Sequence, residues 1–386
     1  MSVVAAEGFS AAGVASGIKA EGLDVAIVLS DRSAIGAGVF TTNQAAAAPV
    51  RLSRAHLAAS AATRAVVLNS GCANAATGMA GTEAAHRTAQ EMADALGIDE
   101  TEVLVCSTGT IGPQLPIDTL IEGMSAALGC SGTTTAHGTA AATAIMTTDS
   151  VPKEAVARGE GWTVGGMAKG AGMLRPDMAT MLSVITTDAD VDSETLGAAL
   201  QAAVDGSFNS LNVDGCESTN DSVLVLANGA SGVTPPSDVF AKVLAAVCRD
   251  LAEQMARDAE GASRVVTIDV VGARDDAEAR YLGRLVADSA LVRSSFFGGD
   301  VNWGRIVGAL GTADVALDFT TVAIGYHGVT VFSGGVGAEY DESPLLRACA
   351  SGDLPITIVV GSGSGVGHVV TTDLTPEYVI FNGERS

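Results

Sequence analysis

GWTVGGMAKGAGMLRPDMATMLSVITTDAD, residues Gly161 to Asp190, consists of two apolar, strand-like pieces joined by KGAGMLRPDMAT. Gly170 and Gly172 permit unusual backbone angles, and Pro176 stiffens the approach to small Ala179 and the hydroxyl residue Thr180. A strained turn of this kind can present a backbone carbonyl to the hydroxyl that follows it. Spacing alone fits equally a glycine-rich hairpin between core strands, with Thr180 present as a β-favouring residue.

Working outward, short β-branched runs alternate with amphipathic stretches. Asp24–Ser30, Arg64–Ser70, Glu102–Thr108, Ser222–Gly229 and Arg264–Ala273 read as strands. Between the second and third of these, Ala85, Ala89, Met92 and Leu96 recur at helical spacing and Gly97 supplies a stop. Helices are expected near Ser193–Asp205 and Ser237–Ala259, and the C-terminal third, from Phe319–Phe332 to Pro355–Leu374, reads as short strands and turns. Strands and helices without strict βαβ alternation indicate an α+β layered fold. GSGSGVG, Gly361 to Gly367, resembles a dinucleotide fingerprint, but the strand-like HVVTTDLT follows where that motif needs a helix, so it reads as a hairpin turn.

A chain of 386 residues, 47% hydrophobic, can bury a substantial core in roughly two to three domains. With 4% aromatics and 46 glycines, that core must rest on Ala, Val, Leu and Ile. The net charge of -23 and pI near 4.4 repel phosphate backbones and anionic headgroups, which excludes nucleic acid and membrane surfaces as partners. The same field opposes an anionic substrate at long range, so a bound carboxylate needs a local cation, for which Lys169 and Arg175 are candidates. Six scattered cysteines form no CxxC pair and His56, His86, His137, His327 and His368 show no metal or triad spacing, so reduced thiols, structural histidines and no metal are expected. The N-terminus lacks the features of a secretory or transit peptide, and the uncharged stretch Gly123–Thr148 is too broken by Gly, Thr and Ser for a membrane span, which points to a cytoplasmic protein.

Attack of the Thr180 hydroxyl on the Ala179 carbonyl would give an ester whose hydrolysis frees Thr180 as a new N-terminus. An α-amine titrates near 7.7–8.0 and can take the hydroxyl proton, whereas an ordinary lysine, near 10.4, stays charged. Lys169 therefore suits a fixed positive charge. Acyl transfer also needs donors for an oxyanion, and CSTGTIG, Cys106 to Gly112, ends a strand with small residues whose backbone amides, at Thr108 and Gly109, could supply them. An ordinary strand-to-loop turn is the other reading of that segment.

Taken together, these segments resemble the ornithine acetyltransferase family, the bifunctional glutamate N-acetyltransferases, with their KGxGMxxPxxATML motif at Lys169–Leu182. GVFTTN (Gly38–Asn43), NSGCANAATG (Asn69–Gly78), CSTGTIG, AIMTTDS (Ala144–Ser150), STND (Ser218–Asp221), DAEG (Asp258–Gly261), NWGR (Asn302–Arg305) and TTDL (Thr371–Leu374) extend the resemblance along nearly the whole chain. It implies a four-layer αββα sandwich of the self-cleaving N-terminal-nucleophile type, cut between Ala179 and Thr180 into pieces 1–179 and 180–386 that assemble as α2β2. It further implies that Thr180 carries the acetyl group, that Thr108 and Gly109 line the oxyanion hole, and that Thr147, Lys169, Glu260, Asn382 and Ser386 contact the substrate. The implied reaction passes acetyl from N-acetylornithine through Thr180 to glutamate in arginine biosynthesis, without a cofactor, some members also taking acetyl-CoA as donor. Asp177 stands where the family has Asn or Ser, Cys72 replaces a common Asn, and the tail NGERS is one residue short. A self-processing aminopeptidase of related architecture, in which serine is the expected nucleophile, and an uncleaved amino-acid-binding protein are the competing readings.

Overall fold

A computed structural model describes residues 2–60, 62–173 and 181–384. The chain divides into two compact units, Met1–Asn209 with Cys216–Met255, and Ser210–Gly215 with Ala256–Ser386. Strands of the first are β1 (Phe9–Val14), β2 (Val25–Phe40), β3 (Ala62–Asn69), β4 (Val103–Ser107), β5 (Lys153–Gly159), β6 (Trp162–Lys169) and β7 (Leu182–Thr187). β8 (Leu211–Asn212) belongs to the second unit, and β9 (Ser222–Ala227) returns to the first.

The first sheet runs β4-β3-β2-β9-β7-β6-β5, with β1 added on β2. Side chains alternate across it. Val25, Ile27, Ala65, Val67, Val103 and Val105 face one cluster, shared with residues of helices α1 (Ala48–Ala59), α2 (Gly78–Leu96) and α3 (Ile117–Cys130). Their neighbours Ala26, Val28, Val66, Leu68, Leu104 and Cys106 face another, with α4 (Thr135–Ala144) and the inner residues of β6, β7 and β9. Burial on both faces explains why these strands read as unbroken apolar runs. Helices α5 (Ser193–Asp205) and α6 (Ser237–Arg257) complete the series. β2 is longer than its apolar core: past exposed Asp31 and Arg32 it shifts register on β3 and its second half pairs β9.

The second unit contains β10 (Val265–Ala273), β11 (Ala323–Tyr326), β12 (Val329–Ser333), β13 (Val336–Gly337), β14 (Leu354–Val359) and β15 (Gly365–Thr372), in the order β13-β12-β11-β14-β10-β15-β8. Its helices are α7 (Asp276–Asp288), α8 (Ala290–Phe297), α9 (Trp303–Leu310), α10 (Glu342–Cys349) and α11 (Pro376–Gly383). Val266, Ile268 and Val270 of β10 and Leu354, Ile356 and Ile358 of β14 pack on one side with Leu282, Val286 and Phe296, and the residues between them are less buried.

GSGSGVG precedes a strand, as read, yet it is not a hairpin. β14 and β15 lie on opposite sides of β10, so the loop crosses the end of that strand. A Cβ at Gly363 would sit 2.0 Å from the Ala273 carbonyl oxygen, so the crossing admits only glycine there. Each unit is of the α+β class. No helix among the described residues is long and apolar enough to cross a membrane.

Candidate active site

The antiparallel ladder of β6 and β7 begins at the pair Lys169 and Leu182, so the informative turn leaves and re-enters the sheet between two buried positions. Ala179, Thr180, Arg175, Asp177 and Ser386 lie outside the described residues. Met181, covalently next to Thr180, is 1% exposed and held from both sides. Its N–H donates to Asp221 Oδ1 at 2.9 Å, and its carbonyl accepts from the Ser222 N–H at 3.2 Å. Asp221 is fully buried, and that burial pushes its carboxyl well above the usual range against the Met181 N–H, the Ser218 hydroxyl and the Lys169 charge, with Glu217 adding to the rise.

Asn220, beside Asp221, reaches the other way. Its side-chain amide donates to the carbonyls of Ser107 at 2.8 Å and Ala73 at 2.6 Å. STND therefore ties Met181 to the end of β4, where Thr108 and Gly109 follow. Parallel β3 and β4 end together at Asn69 and Ser107, whose side chains hydrogen-bond at 2.6 Å. The Thr108 N–H donates to the Asn69 carbonyl at 2.9 Å, so the expectation of a free amide there is corrected: the paired ends of β3 and β4 consume it. Gly109 has φ +129°, and a Cβ on it would lie 2.4 Å from the Gly71 carbonyl carbon and 2.6 Å from the Cys72 nitrogen. Only glycine lets these two turns approach so closely.

Lys169 belongs to a buried charge cluster that sequence reading did not find. Asp149 accepts from Lys153 Nζ at 2.7 Å, from the Gly170 N–H at 2.7 Å and from the Thr147 N–H at 3.0 Å, and Lys169 Nζ stands 3.9 Å away. Burial opposes ionisation of Asp149, but the Lys169 and Lys153 charges and these hydrogen bonds outweigh it and hold the carboxyl at about 2. One carboxylate thus fixes Thr147, Lys169 and the first residue of the turn. Asp149 and Lys153 are four residues apart but not on one helix, so their pairing leaves no periodic signal.

In the second unit, Asn382 of α11 donates to Glu260 Oε2 at 3.1 Å and to the Tyr378 carbonyl at 3.1 Å. Two of the residues implied to contact substrate therefore meet there, and Thr147 and Lys169 meet in the first unit.

Residues 10–386 match the model of the ArgJ family. The chain is 47% identical to the arginine biosynthesis bifunctional protein ArgJ of Streptomyces coelicolor and 46% to that of Thermobifida fusca, in each case over all of both chains. Among solved structures it is similar to the Mycobacterium tuberculosis ornithine acetyltransferase complexed with ornithine, at 47% identity and a TM-score of 0.44, covering 45% of this chain and 94% of that one. A family match from residue 10 to the last residue, with relatives alike from end to end, places this chain in the ArgJ family.

Proposed function

We propose that this chain is an ornithine acetyltransferase that cuts itself between Ala179 and Thr180 and passes acetyl from N-acetylornithine to glutamate through Thr180. The observation that carries this is the hold on Met181: the residue after Thr180 is fixed by Asp221 and Ser222, and Asn220 links the same loop to the Thr108 turn. In the cleavage, Thr180 Oγ bonds to the Ala179 carbonyl carbon, the Ala179–Thr180 C–N bond breaks and frees the Thr180 α-amine, and water hydrolyses the ester to the Ala179 carboxylate and the Thr180 hydroxyl. That amine takes the hydroxyl proton as Oγ attacks the acetyl carbonyl, ornithine departs with the proton on its nitrogen, and the glutamate amine then displaces Thr180. The Thr108 hydroxyl and the Gly109 N–H face the oxyanion. Lys169 pairs with the substrate carboxylate, positioned with Thr147 by Asp149, while Glu260, Asn382 and Ser386 hold the amino-acid moiety.

The bifunctional name carried by its relatives supports acetyl-CoA as a second donor. Pieces 1–179 and 180–386 form an α2β2 assembly in the cytoplasm. Incubation with acetyl-labelled N-acetylornithine should place one acetyl group on the fragment beginning Thr-Met-Leu-Ser-Val, and glutamate should remove it as N-acetylglutamate. Transfer to glutamate with no labelled fragment at any time would refute the route through Thr180.

Two variants probe the parts separately. Lys169→Ala should raise KM for N-acetylornithine about tenfold or more while kcat falls less, because the lost contact is made in both ground and transition states. A drop in kcat at constant KM would contradict that role. Gly109→Ala should lower kcat about 100-fold by pushing the oxyanion turn outward, with thermal unfolding confirming that the fold persists.

A further inference from the structure

His56, His86 and Glu100 lie 30 and 14 residues apart along the chain, yet they meet in the first unit. His56 lies in the last turn of α1, His86 lies within α2, and Glu100 opens a single 3-10 turn, Glu100–Glu102, that leads into β4. Their ligand atoms all lie within 4.8 Å of one another. Three separate elements supply the three groups, so the spacing along the chain gives no sign of their meeting.

The protonation pattern is the one a metal requires. His56 is buried, and its Nδ1 lies 2.8 Å from the Val103 carbonyl, which can only accept, so Nδ1 carries the hydrogen. In the neutral ring Nε2 then bears the lone pair, and it points toward Glu100 Oε1 at 3.8 Å. A backbone carbonyl orienting the far nitrogen of an imidazole is the usual support for a metal-binding histidine. His86 Nδ1 is 2.9 Å from the same carboxylate oxygen. Ligands about 2.1 Å from a tetrahedral ion stand roughly 3.4 Å apart, so the distances of 2.9 and 3.8 Å bracket that spacing. The His86 and Glu100 side chains are 56% and 30% exposed, which leaves room to adjust and an open side for water. The turn bearing Glu100 is itself fixed: the Asp99 carboxylate accepts from the Thr101 N–H at 2.9 Å, and Glu102 accepts from the Asp99 N–H at 3.4 Å.

We infer that His56, His86 and Glu100 form a binding site for a divalent transition-metal cation, Zn2+ or Co2+, with water completing the coordination. Two imidazoles with one carboxylate select these ions over Mg2+ and Ca2+, which prefer all-oxygen sites. On binding, His56 Nε2 and Glu100 Oε1 donate directly. His86 binds through Nδ1 with its remaining proton on Nε2 of this largely exposed ring. The cation joins the end of α1, the middle of α2 and the entry to β4, and uses no residue assigned to acetyl transfer.

The test is a titration of the chelator-treated, full-length protein with Co2+ and Zn2+. One Co2+ should bind with visible d–d absorption and no thiolate charge-transfer band. Zn2+ at 100-fold excess over its Kd should raise Tm by about 5 °C. His86→Ala and Glu100→Gln should each weaken binding at least tenfold and remove the Tm rise, and Mg2+ should cause none. Absence of binding, a thiolate band, an equal response to Mg2+, or unchanged affinity in both variants would overturn the assignment.

Discussion

Purified Thr180→Ala protein is expected to remain a single chain of 38.5 kDa and to lose acetyl transfer by at least about 10⁴-fold, and the unaltered protein to run as two pieces. On the proposed route the loss is large because one residue serves three times: its hydroxyl attacks the Ala179 carbonyl, its freed main-chain amine acts as base, and its hydroxyl then carries the acetyl group. Removing it cannot be offset by the oxyanion turn, which stabilises charge only after a nucleophile has attacked. Intact mass under denaturing conditions with N-terminal sequencing checks the cleavage, and transfer from N-acetylornithine to glutamate checks the chemistry. Equal transfer by the two proteins would remove the mechanism. An unaltered protein that stays whole would shift the reading to an uncleaved binding protein of the same fold.

Asp149→Asn should cost about 3–5 kcal/mol of stability, the effect of stranding buried charge, and lower Tm by roughly 5–10 °C. The substitution leaves the Lys153 and Lys169 ammonium groups, which are 0% and 2% exposed, without the carboxylate between them. The sign with pH follows from the depressed carboxyl. A group held at about 2 in the folded chain, against about 4 unfolded, stabilises fully above the unfolded value and loses that contribution as pH falls through the folded one. Urea unfolding should therefore show a gap between the two proteins that is widest near neutrality and narrows below about pH 4. A gap of constant size down to about pH 3 would mean that Asp149 acts by shape and not by charge.

Much of this architecture is legible in the chain, for reasons that differ by element. Strands buried on both faces, such as β9 with its run Val223–Leu226, declare themselves as apolar runs, and α5 and α6 as amphipathic stretches, α5 with Asp192 as its cap. The far half of β2 is hidden because Gly36 and Gly38 make room for Thr63, Leu57 and Phe40 side chains, so close packing there leaves no apolar pattern. The loop after β14 looked like a hairpin because glycine content reports close backbone approach without saying which strand is approached. At the site, Lys169 and Thr108 stand out by motif, but Asp149, Asn220 and Asp221, though inside AIMTTDS and STND, act on Gly170, Ser107 and Met181 far along the chain, and only the folded chain brings them together.

The strand order of the first sheet carries one more consequence for a chain severed between Ala179 and Thr180. β9 and β7, both from the C-terminal piece, are inserted between β2 and β6 of the N-terminal piece. The proposed fragments would be interleaved like the fingers of clasped hands, unable to part without tearing the sheet at two seams. Separation and denaturation become one event. Recovery after complete unfolding must then be second order, slower on dilution, whereas the uncut Thr180→Ala chain would refold at a rate independent of its concentration.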